Sequence, residues 1–150
     1  MWYILSSLLF LIACGPLVYI EDRDPRAGHG VPPEVRPYLD SYEQAAGRQV
    51  YDIPVSFRPL ASRDNPSRVG LCVTYGAGYA EIFLDPKYWE GARDSCREQL
   101  LFHELGHCDL LRGHTEDEQS IMYKNMMDCG EYAQGRNKIL EELFRRTTKE

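Results

Sequence analysis

Residues 103–107 read His103-Glu104-Leu105-Gly106-His107, and the rest of the chain is best read outward from them. In a helix each residue turns by about 100° and rises about 1.5 Å, so two histidines four apart stand one above the other on a single face. Imidazoles so placed can share one Zn²⁺ at about 2.0 to 2.1 Å, while a glutamate directly after the first leans toward a water on that metal. The stretch therefore predicts a helix with His103 and His107 as metal ligands and Glu104 as general base. Two histidines on a helix with one apolar side are also commonly plain polar surface, so the flanking sequence decides.

Downstream the chain continues Cys108-Asp109-Leu110-Leu111-Arg112-Gly113-His114, then Thr115-Glu116-Asp117-Glu118-Gln119, then Ser120-Ile121-Met122-Tyr123. This run resembles the metzincin zinc peptidases, whose signature is H-E-x-x-H-x-x-G-x-x-H followed by a methionine turn, and within them the matrixin-like members that carry S-I-M-Y. Upstream, Ile82-Phe83-Leu84-Asp85 with Trp89 is similar to the strand and turn that lead into the matrixin active-site helix, so the resemblance spans residues 69–125. It implies an α+β fold: a single small zincin-like domain with a mixed sheet, an active-site helix and a C-terminal helix. It further implies a zinc-dependent endopeptidase acting on peptide or protein substrates, with a His-ligated zinc-bound water as nucleophile and Met122 as an apolar floor beneath the metal.

The third ligand departs from that pattern. In the family it lies six residues after the second histidine with a glycine midway, whereas His114 lies seven after His107 and Leu110 occupies the glycine's place. Gly113 directly precedes His114, which predicts a helix running about one residue further before a glycine turns the backbone back. Asp109 competes for the role, since another zinc-peptidase group uses an aspartate. On a continuing helix, however, a residue two past His107 points about 200° away. Asp117 and Glu118 can reach in from the loop. His114 is preferred, because three neutral imidazoles leave the ion its full charge as a Lewis acid.

Met1 to Ala13 contains no charged side chain and is apolar from Leu8 onward. That is short of the roughly 20 residues a permanent bilayer span needs, so residues 1–13 read as an export signal peptide. Leu11-Ile12-Ala13-Cys14-Gly15 resembles a bacterial lipobox, which implies lipidation of Cys14 and a membrane-anchored lipoprotein of the cell envelope. Residues 14–31 are then a polar, turn-rich tether, and 32–150 the folded domain. With Cys14 set aside, Cys72, Cys96, Cys108 and Cys129 form an even set, and an oxidising compartment predicts two disulfides with three connectivities open.

Pro32-Pro33 opens a helical pattern through Val35, Leu39, Tyr42 and Ala46, with Gly47 as its stop. Tyr51 to Leu60 alternates as a half-buried strand, and Val69–Tyr75 and Tyr79–Leu84 flank Gly76-Ala77-Gly78 as a hairpin. Such an edge can take an extended peptide as an added strand, so Cys72 to Tyr79 are expected to line a substrate groove. Asp94 or Ser95 is expected to cap the central helix. Glu131 to Lys149 reads as a closing amphipathic helix with Ile139, Leu140, Leu143 and Phe144 inward. No repeat or second hydrophobic block appears, so a single monomeric domain is expected.

The net charge of −6, with scattered basic residues, excludes a general nucleic-acid surface. The rival to the peptidase is a non-catalytic surface lipoprotein that keeps a structural zinc, or a decayed site used for binding. A closed four-ligand zinc site would mark that alternative.

Overall fold

A computed structural model describes residues 30–75 and 79–145. The expected signal segment, the lipidation site Cys14 and all but the last residues of the tether lie outside the described residues. In chain order the elements are α1 (Arg36–Ala46), β1 (Val55–Phe57), β2 (Gly70–Thr74), β3 (Ala80–Leu84), α2 (Pro86–Gly91), α3 (Asp94–Cys108) and α4 (Cys129–Arg145). The fold is α+β, with a three-stranded mixed sheet and four helices among the described residues.

The sheet order is β1-β3-β2. β1 runs parallel to β3 with Val55 opposite Ile82, and β2 runs antiparallel to β3 with Cys72 opposite Ile82. The central strand is correspondingly the most buried, with Ile82 and Leu84 fully enclosed. β2 is therefore an edge strand, and it lies on the side where α3 packs.

α1 forms where the Pro32-Pro33 pattern predicted it and stops at Gly47, whose left-handed φ of 67° lets the chain turn away. The strand expected over Tyr51–Leu60 shrinks to Val55–Phe57. Asp52 adopts a left-handed φ of 58°, and neither Pro54 nor Pro59 has an N–H to give a ladder. α2 was not foreseen. Asp85 caps it by accepting the Tyr88 N–H at 3.1 Å, and Pro86 pre-sets its first turn. The other oxygen of Asp85 takes the Leu60 N–H at 2.9 Å, so one carboxylate fastens the loop after β1 to α2.

The cap expected for the central helix is corrected. Arg93 is the N-cap and no side chain bonds there, while Asp94 already lies in the first turn and accepts the Tyr38 hydroxyl at 2.9 Å. Its charge still complements the positive end of the helix dipole. α4 starts at Cys129 rather than Glu131, and buries Tyr132, Leu140 and Leu143 with Ile139 and Phe144 half-buried beside them.

α3 is the axis of the domain: ten of its fifteen residues are buried. It is stapled at both ends, by Cys96–Cys129 to the start of α4 and by Cys72–Cys108 to the edge strand β2. These bridges close loops of 33 and 36 residues. By chain-entropy reasoning, each loop of that size is worth about 3–4 kcal/mol against the unfolded state. Glu98, near the helix start, accepts from Tyr132 at 2.7 Å and Arg136 at 2.5 Å, while the Ser41 hydroxyl reaches its second oxygen at 3.3 Å, so α1, α3 and α4 meet at one carboxylate.

Candidate metal centre

The helical spacing does what the sequence reading required: His103 and His107 project from the same face of α3, with ring centroids 4.7 Å apart. His103 is buried, and its Nδ1 stands 2.6 Å from the carbonyl of Ile121. His107 is half-buried, with Nδ1 2.6 Å from the carbonyl of Arg112. A carbonyl can only accept, so in each ring Nδ1 carries the proton and the neutral ring's Nε2 carries a lone pair. Burial holds both rings neutral: it pushes His103 down to about 4 and lowers His107 as well.

The chain then brings His114 to the same point. Its Nε2 lies 3.2 Å from that of His107 and 3.3 Å from that of His103, and the two helix nitrogens are 3.1 Å apart. At least two of these nitrogens hold lone pairs directed at each other, an arrangement that is repulsive without a cation between them. Three nitrogens at about 2.0 to 2.1 Å from a tetrahedral ion would stand about 3.3 Å from one another. The observed separations fit that requirement. These three histidines form the one group among the described residues spaced to hold a metal ion.

The competing carboxylates are engaged elsewhere. Asp109 takes a two-pronged bond from Arg48, at 3.0 and 2.6 Å, and the Tyr42 hydroxyl at 2.8 Å, fastening the end of α3 to α1. Asp117 accepts the Gln119 N–H at 3.0 Å, and Glu118 the Tyr123 hydroxyl at 3.3 Å.

The turn that delivers His114 differs from the sequence expectation. α3 ends at Cys108, and the residue in the left-handed region is Leu111, with φ of 53°, not Gly113. The Arg112 N–H bonds back to the carbonyl of Gly106 at 2.9 Å, six residues earlier. The extra residue between His107 and His114 is thus absorbed in a wider turn, with an L-residue strained at its apex. Leu111 is 78% exposed, so solvent-facing space rather than packing permits it.

Met122 is fully buried against α3. Its thioether occupies the space a Cβ on Gly106 would take, so the glycine between the two ligand positions admits the methionine against the helix. The Met122 carbonyl accepts the Thr115 N–H at 3.0 Å, which pairs the methionine loop with the residue after His114.

Glu104 is 4% exposed. Burial lifts its carboxyl to about 8, against the opposing pull of the Cys72 N–H and the charge of Arg68. A divalent cation on the neighbouring imidazoles would act in the same sense as Arg68, favouring the charged form. Gly70 makes the room for this side chain: a Cβ there would meet the Glu104 carboxylate and stand 2.7 Å from Leu100 Cδ1.

The histidines and Glu104 open onto a cleft of about 1040 Å³. β2 lines it through Gly70, Leu71, Cys72 and Thr74, and Lys124, Asn125 and Met126, which follow the loop of Met122, line it too. Of the stretch Cys72–Tyr79, expected to line a groove, Cys72 and Thr74 line this cleft, together with Asn65 and residues 67–71 before them. Tyr79 does not line it, and 76–78 lie outside the described residues.

Sequence reasoning gave no role to Gly70, Arg112 or Glu142, and read Ser120 only as part of S-I-M-Y. A glycine inside a strand is a legible sign of close approach, so Gly70 was findable. The contacts of Arg112 and Ser120 with Glu142 span some 20 to 30 residues of chain and leave no local pattern. Comparison with known protein families, with curated proteins and with solved structures found no match.

Proposed function

We propose that the protein is a zinc-dependent endopeptidase in which His103, His107 and His114 hold the ion and Glu104 moves the proton. The observation that carries this reading is the convergence of three Nε2 atoms within 3.3 Å, two of them with Nδ1 committed to carbonyls, beside a buried glutamate. When bound, zinc supplies Lewis-acid polarisation of a scissile carbonyl and acidifies a water in its open position. Glu104 Oε takes the proton of the attacking water and hands it to the leaving amine nitrogen. The edge strand β2 receives the substrate in extended form, pairing with it along the cleft through backbone groups that face away from β3 other than the Cys72 N–H held by Glu104. That the triad offers three ligands and faces a cleft favours this reading over a closed structural zinc.

The two disulfides point to an extracellular or periplasmic location. No described helix is long and apolar enough to cross a membrane. Export and anchoring through Cys14 remain part of the proposal.

The test is metal analysis of the purified protein, paired with digestion of a broad peptide library. Zinc at one per chain with cleavage is expected, and Glu104→Gln should keep the zinc while cleavage falls by about 10²–10⁴-fold, the usual worth of a positioned general base. A variant that cleaves as fast as the parent removes Glu104 from its role. A zinc-loaded parent that cleaves nothing returns the site to the non-catalytic alternative.

A further inference from the structure

Glu142 sits on α4, far from the histidines in sequence, yet both loops that aim them end on its carboxylate. Its Oε1 accepts from Arg112 Nη2 at 3.0 Å, and its Oε2 accepts from Ser120 Oγ at 3.1 Å. The Arg112 carbonyl is the group that takes the His107 Nδ1–H. Ser120 Oγ in turn accepts the Met122 N–H at 3.2 Å, bracketing the Ile121 peptide, whose carbonyl takes the His103 Nδ1–H. A second Arg112 nitrogen bonds the Leu143 carbonyl of α4 at 2.9 Å.

We propose that Glu142 is a positioning residue for the metal centre, fixing through one carboxylate the tautomer and aim of both helix histidines. The proposal rests on the reading of the three histidines as a metal site. Residues 109–128 contain no helix or regular strand. The pairing of Thr115 with Met122 ties that segment to itself, and Glu142 joins it to α4 at both Arg112 and Ser120. If the two loops drift, each Nδ1–H loses the acceptor that orients its ring, and the Nε2 lone pairs cease to converge. Groups that orient ligand histidines typically change metal affinity by about 10–100-fold when removed. Glu142 acts one step further out but on two ligands together.

The experiment measures Zn²⁺ affinity by competition with a chelating dye, and the imidazole Nδ1–H signals of the metal-free protein by NMR. Glu142→Ala should weaken zinc binding by about tenfold and expose both Nδ1–H protons to exchange. Glu142→Gln should stay within about threefold of the parent, because an amide can accept from Arg112 and donate to the Ser120 oxygen. Ser120→Ala cuts one arm and should release the His103 proton while leaving that of His107 protected; it keeps the proposal testable if Glu142→Ala fails to fold. Glu141→Ala, on the same helix with its partner Arg145, is the control and should change neither readout.

Parental zinc affinity in Glu142→Ala overturns the proposal, as does a glutamine that fails to rescue or an equal loss in Glu141→Ala. Ser120→Ala acting on both rings alike also overturns it. None of these readouts is peptide cleavage, so failure of the peptidase reading would be seen separately, through Glu104→Gln.

Discussion

Adding one methyl group at Gly70 should disable the proposed base while sparing the metal ligands. The new Cβ would fall on the Glu104 carboxylate, 2.8 Å from its Cδ and 2.7 Å from Leu100 Cδ1. Carbon atoms pack without strain at about 3.5–4.0 Å, so one side must move by about 1 Å. β2 cannot easily retreat, since it pairs with β3 and is bridged to α3 through Cys72–Cys108. The carboxylate is the group left to shift, and it is only 4% exposed.

A displacement of about 1 Å in a reacting group can cost about 100-fold in rate, or roughly 2.7 kcal/mol of barrier. Overpacking of this kind costs about 1–3 kcal/mol of stability. Gly70→Ala is therefore expected to keep one zinc per chain, lose about 100-fold in kcat/KM on a fluorogenic peptide, and unfold at lower urea. Gly91→Ala, where a Cβ meets nothing within 4 Å, should behave as the parent. Combining Gly70→Ala with Glu104→Asp, whose shorter arm makes room, should destabilise less than the sum of the two changes. Full activity in Gly70→Ala, or a loss of activity that merely follows a loss of zinc, would refute the reasoning.

Three other changes probe the surroundings. His114→Ala should weaken zinc retention far more than Asp109→Ala, which should instead lower stability by about 1–3 kcal/mol by stranding Arg48 and the buried Tyr42 hydroxyl; equal zinc losses by metal analysis would overturn the ligand set. Leu111→Asn should raise stability by about 0.5–1 kcal/mol in urea titrations, because asparagine tolerates the left-handed region better than leucine does; no gain would mean the turn is unstrained. Asp85→Ala should cost about 1–2 kcal/mol at pH 7, the usual worth of a helix cap. The N–H groups of Leu60 and Tyr88 hold the Asp85 carboxyl below its ordinary value, so its contribution is complete above about pH 4 and disappears as pH falls through the folded-state value. A penalty for Asp85→Ala that stays constant down to pH 2 would contradict that assignment.

The local features were legible because they depend on periodicity and on backbone chemistry. Four-residue spacing alone places His103 over His107, Gly47 can stop α1 because it accepts a positive φ, and alternation about residues 76–78 marks β2 and β3. The even set of four cysteines announced two bridges. Their pairing was beyond sequence, since it depends on which end of α3 faces β2 and which faces α4. For the third ligand the sequence preferred His114 over three carboxylates. The structure places Asp109 on Arg48 and Tyr42, and the turn through Leu111 brings His114 beside the helix pair. Gly70 beside Glu104, and Glu142 behind both loops, act between elements distant in the chain, and such contacts carry no period for a sequence to display.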